Sequence, residues 1–132
     1  MVRLTLKNGD KMLSINDYIK AGFCTGNMRF LNSLPEMKLA ARVLSYSKTE
    51  TDSIVFEISN PSKTIAVSVK LNLRNPQGER ILPAYFSDGY FNLLPNEKRT
   101  VSVECGYRGD AALTVEGYNV TKTEVTKVKM QR

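Results

Sequence analysis

Histidine and tryptophan are both absent from these 132 residues, and cysteine occurs only twice. Without histidine no Ser-His-Asp or Cys-His arrangement can form, and the commonest metal ligand is missing. Cys24 and Cys105 cannot build a zinc site on their own. Two cysteines give no disulfide framework, so their pairing and the redox compartment stay open. Cys105 falls on the apolar phase of a strand, where a buried free thiol is expected. No run of about 18 apolar residues occurs, so no membrane helix is expected. Met1-Val2-Arg3 leads straight into alternating residues, so no secretory signal is expected within this chain. There is no glycine-rich phosphate loop, and neither a metal nor a cofactor is expected.

What is present is an ordinary globular composition with a basic balance, net charge +6. The length suits one domain with an appendage, large enough to close a core. The positive residues are scattered over Lys38, Arg42, Lys63, Lys70, Arg74, Lys98 and Arg99. Only the end is dense, with Lys122, Lys127, Lys129 and Arg132. No nucleic-acid motif accompanies them, so a solvated basic surface is expected rather than a nucleic-acid partner.

The pattern is that of strands. "RLTLKNGDKML" alternates around Asn8-Gly9, a hairpin signal in which both turn positions need positive φ. "SINDYIKAG" reads equally as a short capped helix or as a continued strand. "FCTGNMRFLNSLP" is an irregular connector closed by Pro35. Met37, Leu39, Ala41 and Val43 then share one face, and Ile54, Phe56 and Ile58 the next. In "TIAVSVKLNLR", Ile65, Val67, Val69, Leu71 and Leu73 point one way and the polar positions the other. "NPQGE" is a turn, and Pro83 confines "RILPAYF" to an edge. Val101, Val103 and Cys105 line another strand, and "AALTVEGYNV" is the last core strand, with Gly117 as its expected bulge. Residues 122–132 read as a basic tail, frayed or disordered. Seven or so strands over about 90 residues predict an all-β, immunoglobulin-like antiparallel sandwich over 35–121, after an N-terminal hairpin and linker over 1–34.

Catalytic chemistry is sparse. Glu57, Glu104 and Glu116 sit on polar strand phases, and Asp88, Glu97 and Asp110 in turns, so solvated or structural roles are expected. The richer feature is "YFSDGYF". Tyr85, Phe86, Asp88, Tyr90 and Phe91 could contact sugar or a neighbouring domain. Alternatively Phe86 and Phe91 plug one end of the sandwich while the tyrosines cover its rim, and this is the favoured reading. Asn119-Val120-Thr121 also fits a glycosylation acceptor.

"LNSLP", "ISNPSKTIAVSVKLNLRNPQGERILPAYFSDGYFNLLPNEKRTVSVE" and "VEGYNV" together resemble the C-terminal Ig-like domain of glycoside hydrolase family 2 enzymes, in the β-mannosidase and exo-β-glucosaminidase branch. The likeness rests on Asn60, Leu82-Pro83, Ser87 to Phe91, Leu93-Leu94-Pro95, Glu97 and Thr100. Asn96 stands where the family often has Gly, and Gly89 where it often has Asn; both swaps keep tolerance of positive φ. Residues 3–18 resemble the closing hairpin of a preceding Ig-like domain, through Arg3 to Leu6, Gly9, Ser14, Asn16 and Tyr18. That favours strand for Ser14–Tyr18 and suggests a fragment cut within the preceding domain.

The resemblance implies a non-catalytic accessory domain of a larger exo-acting hydrolase. Its partners would be the catalytic barrel and neighbouring Ig-like domains of the same polypeptide, and carbohydrate is a further candidate. The family's catalytic glutamates lie in the barrel, so none carries over to this chain. Such enzymes occur in several compartments, with an extracytoplasmic setting the expectation. A carbohydrate-binding module using Tyr85, Tyr90 and Tyr107, and a free-standing Ig-like interaction domain, are the alternatives.

Overall fold

The computed structural model describes residues 1–19, 28–48 and 50–130. Cys24 lies outside them, with the first five residues of the connector. The chain divides into two compact units, Met1–Leu34 and Pro35–Arg132.

The first unit is a hairpin of β1 (Val2–Asn8) and β2 (Lys11–Tyr18), with a 3-10 helix at Arg29–Ser33. The strands pair antiparallel from Val2↔Tyr18 to Asn8↔Lys11, so the two-residue loop is Gly9-Asp10 and not Asn8-Gly9. Gly9 alone takes positive φ, +59°. One left-handed position, occupied by glycine, is the pattern of a II′ turn, whereas the sequence led to the two-position I′ turn. Ser14–Tyr18 is strand. Arg3 clasps Asp17 across the ladder with two hydrogen bonds, at 2.7 and 3.0 Å.

The second unit is a sandwich of two four-stranded antiparallel sheets. One orders β3 (Ala40–Lys48), β4 (Asp52–Ser59), β8 (Lys98–Cys105) and β6 (Ala84–Phe86). The other orders β10 (Thr123–Met130), β9 (Gly109–Glu116), β5 (Ala66–Arg74) and β7 (Phe91–Leu93). Ile54, Phe56 and Ile58 of β4 face Val69, Leu71 and Leu73 of β5 in a core that Val101, Val103, Leu113 and Val115 complete. Sealing each large side chain there stabilises the fold by about 1.5–3 kcal/mol relative to exposure.

The structure departs from the sequence expectation in four places, each for a visible reason. In β3 the register shifts between Val43 and Ser45, so the inward phase passes to Tyr46, which packs on the core, while Val43 stays exposed. In β5 the expected continuous face breaks at Ser68, which adopts φ +53° as the register slips between Ala66 and Val69. Ala66 therefore joins the core on one side of the bulge, and Val69, Leu71 and Leu73 on the other. Gly117 does not bulge β9, which ends at Glu116. It is glycine because a Cβ there would come within 2.9 Å of the Val67 carbonyl oxygen. Finally, residues 123–130 are no loose tail. β10 pairs with β9 from Thr123↔Val115 to Met130↔Gly109, and Met130 is buried.

Three buried asparagines stitch the irregular backbone. Asn119 Oδ1 accepts from the Val67 N–H (2.9 Å), and its amide donates to the Ile65 carbonyl (2.8 Å). Asn92 Oδ1 accepts from the Ser68 N–H at 3.0 Å. The Asn60 amide donates to the Thr64 and Leu93 carbonyls at 2.8 and 3.1 Å. A buried peptide group off the ladder costs about 1–3 kcal/mol if left unpaired, and these amides supply the missing partners. With its carboxamide so engaged and only 3% of its surface exposed, Asn119 offers no acceptor to a glycan in the folded chain.

Candidate functional site

The aromatic segment sits where the chain crosses from one sheet to the other. β6 is the edge strand expected of a Pro83-containing segment, and the Leu82–Pro83 peptide is cis. Along β6, Ala84 and Phe86 turn toward the core while Tyr85 turns out, 70% exposed. Phe91 of β7 is 5% exposed, whereas Tyr90 beside it is 68% exposed. The four aromatic residues singled out in the sequence thus divide into a phenylalanine pair facing inward and a tyrosine pair at the rim, with Asp88 in the turn between them.

The turn between them is held by polar contacts. The Ser87 N–H donates to the Ser102 carbonyl (2.8 Å), and the Ser102 N–H to Ser87 Oγ (3.0 Å). Asp88 Oδ1 accepts from the Gly89 N–H, and its other oxygen pairs with Arg99 at 3.2 Å. The Arg99 guanidinium lies 4.7 Å from the Phe91 ring centre and 3.7 Å from Glu97. Glu97 in turn accepts from the Leu94 N–H at 2.6 Å. Asp88 and Glu97 are therefore committed to holding a cation over an aromatic face.

Backbone conformation differs from expectation at this turn. Gly89 keeps an ordinary φ, and Tyr90 takes the left-handed one, +53°. A bulky residue there costs about 1–3 kcal/mol, which the surrounding contacts must offset. Asn96 does adopt positive φ, +61°.

Two grooves meet at Tyr90. One, about 250 Å³, runs between Lys70–Leu73 of β5 and the segment carrying Leu82, Phe86 and Asp88. The other, about 400 Å³, is lined by Ser68, Lys70, Tyr90, Glu116, Gly117 and Tyr118. Lys70 Nζ stands 5.6 Å from the Tyr90 ring centre, and Tyr118 is 54% exposed on the far side. Glu116 Oε1 accepts from the buried Asn72 amide at 3.2 Å. Tyr107 does not join this surface: it follows β8 and packs against the core. Lys70 and Tyr118 come to Tyr90 through long-range folding, and no short motif marks either.

Two further carboxylates have structural partners. Asp52, wholly buried, accepts from Tyr46 Oη (2.6 Å) and pairs with Arg108 at 2.8 Å. Glu57 pairs with Arg42 and Lys98, and the Arg42 hydrogen bond above all holds its carboxyl below the usual carboxylate range. Cys105 is a buried free thiol. Among the described residues no three His, Cys, Asp or Glu side chains gather as metal ligands.

Two four-stranded antiparallel sheets packed face to face define an immunoglobulin-like sandwich. Residues 22–120 match the exo-β-D-glucosaminidase Ig-fold domain, and the chain belongs to that family, an Ig-like domain of glycoside hydrolase family 2 enzymes. No curated protein matches the chain. Among solved structures it is similar to the exo-chitosanase CsxA of Amycolatopsis orientalis, with 17% identity and a TM-score of 0.79 over 96% of this chain. A complex of a CsxA variant with PNP-β-D-glucosamine aligns with a TM-score of 0.74 over 92% of this chain, again at 17% identity. The chain spans 18% of the first of these structures and 17% of the second.

Proposed function

We propose that this chain is a non-catalytic accessory domain of a larger exo-acting glycoside hydrolase, within which it packs on neighbouring domains of the same polypeptide. The observation that carries the reading is the family match over residues 22–120, in a chain that spans less than a fifth of the similar enzyme. Of the two branches named by the resemblance, the match favours the glucosaminidase side, so the parent would act on β-linked glucosamine rather than mannose. The carboxylate inventory agrees with a structural role, since Asp52, Glu57, Asp88 and Glu97 are each tied to a cation.

The contact surfaces that suit neighbouring domains are apolar and exposed. Leu82 and Tyr85 project from the edge of the sandwich unit. Val2, Leu4 and Leu6 project from alternate positions of β1 in the hairpin unit. A two-stranded hairpin is marginal alone in water, and a second layer from an adjoining Ig-like domain would cover it.

The test is the reading frame around this segment. An upstream (β/α)8 barrel with two facing glutamates is expected, and deleting this domain from that enzyme should lower its melting temperature while leaving the barrel glutamates in place. A short gene with its own start and stop would overturn the reading.

A further inference from the structure

We propose that Tyr90 and Tyr118 form the walls of a surface subsite for the pyranose rings of an oligosaccharide, with Lys70 and Glu116 on its floor. The choice of ligand class rests on the accessory-domain reading above; the geometry does not.

Three observations converge on this groove. First, Tyr90 holds a left-handed backbone although Gly89, which would adopt it without strain, is adjacent. The conformation aims a phenol outward at a position where burial gains nothing, and outliers of this kind concentrate at ligand-contacting positions. Second, each wall has a contact that restricts it before any ligand arrives. The Lys70 ammonium lies over the Tyr90 ring, 5.6 Å from its centre. The Tyr118 N–H donates to the Val67 carbonyl at 2.9 Å, beside a Gly117 that leaves no room for a Cβ. Restricted walls spare part of the ordering cost of binding. Third, the floor carries both kinds of polar group that a sugar edge needs. Lys70 has only donors, and Glu116, oriented by Asn72, keeps acceptor sites beyond the one that bond uses. Aromatic faces cover the axial C–H face of a pyranose, and the polar tips meet its hydroxyls.

The alternative occupant of an exposed tyrosine surface is a protein neighbour. Ser68, Lys70, Glu116 and Gly117 make this floor small and polar, unlike the Leu82 and Tyr85 rim. A groove with charged groups of both signs between two phenols suits a hydroxylated ring better than an apolar protein face.

The experiment is a titration of the purified 132-residue chain with glucosamine hexamer, cellohexaose and mannohexaose, followed by amide chemical shifts. Shifts centred on Tyr90, Gly117 and Tyr118 are expected with at least one oligosaccharide. Preference for the glucosamine hexamer would place its ammonium on Glu116; an equal response to all three would place hydroxyls there. Tyr118→Ala and Tyr90→Ala should each weaken association about tenfold or more, while Tyr118→Phe stays within about threefold, because the ring face and not the hydroxyl makes the contact. Melting curves of the variants separate lost binding from lost folding. No shifts with any of the three sugars, or shifts centred on Leu82 and Tyr85, would overturn the subsite. Either failure leaves the accessory-domain reading standing, since that depends on the reading frame. A free-standing gene would remove that reading and leave the titration interpretable.

Discussion

The hairpin of β1 and β2 alternates as regularly as β4, yet Leu4 and Leu6 lie more than half exposed while Ile54, Phe56 and Ile58 are sealed. No described residue of the hairpin unit is buried, and the sandwich unit holds a continuous core. Alternation states which face of a strand gains from being covered. Whether cover exists depends on a second layer, and two strands cannot supply one for themselves. The hairpin is thus held by ladder bonds and the Arg3–Asp17 clasp, the sandwich by packing.

Substitutions can break or sharpen this contrast. Phe56→Ala should cost about 3–5 kcal/mol, because a fully buried ring leaves a cavity between the sheets. Urea unfolding of the chain would show it as a fall in midpoint. Asn119→Ala should cost about 2 kcal/mol, by stranding the Val67 N–H and the Ile65 carbonyl. Hydrogen exchange at the Val67 amide should quicken more than at Val103, which lies in the regular ladder. Leu6→Ala should change stability by less than about 0.5 kcal/mol in the same urea assay. A loss comparable to that of Phe56→Ala would break the contrast.

The smallest effect concerns acid. Glu57 holds its proton less tightly in the folded state than in the unfolded one, chiefly through the Arg42 hydrogen bond. Its contribution is therefore present above the unfolded pKa and fades as pH falls through the folded value. Glu57→Gln should flatten the acid limb of melting temperature against pH by lowering the neutral plateau slightly, with stability in acid nearly unchanged. An unaltered acid limb would show that the Arg42 pair adds nothing on this exposed face.

Particular residues show how far the sequence could be read. Ile54, Phe56 and Ile58, and Val101, Val103 and Cys105, keep strict period-two burial because the β4–β8 ladder that joins their strands is uninterrupted. Pro83 correctly marks an edge. Ser68 gave no warning of a bulge, since its left-handed turn depends on Asn92 and Asn119, which lie 24 and 52 residues away from the peptide groups they satisfy. β10 is polar enough to read as a tail, and what recruits it is the open edge of β9, the strand just before it, which the polar pattern of β10 does not reveal. The candidate site follows the same rule. Tyr90 was legible as an aromatic beside a turn, but Lys70 reaches it through the β5–β7 pairing and Tyr118 through the β5–β9 pairing. Tyr107, equally aromatic, went to the core.

The seam at Asn119 bears on how such a chain can be made. Asn119-Val120-Thr121 is an acceptor sequence on the unfolded polypeptide, and oligosaccharyltransferases read extended chains as they emerge. A glycan attached at that moment would occupy the carboxamide that later bridges Val67 and Ile65, so the modified molecules could not close their last seam. Secretion from a eukaryotic host should then yield a heterogeneous, aggregation-prone product, and a bacterial host or a Thr121→Val variant a uniform one.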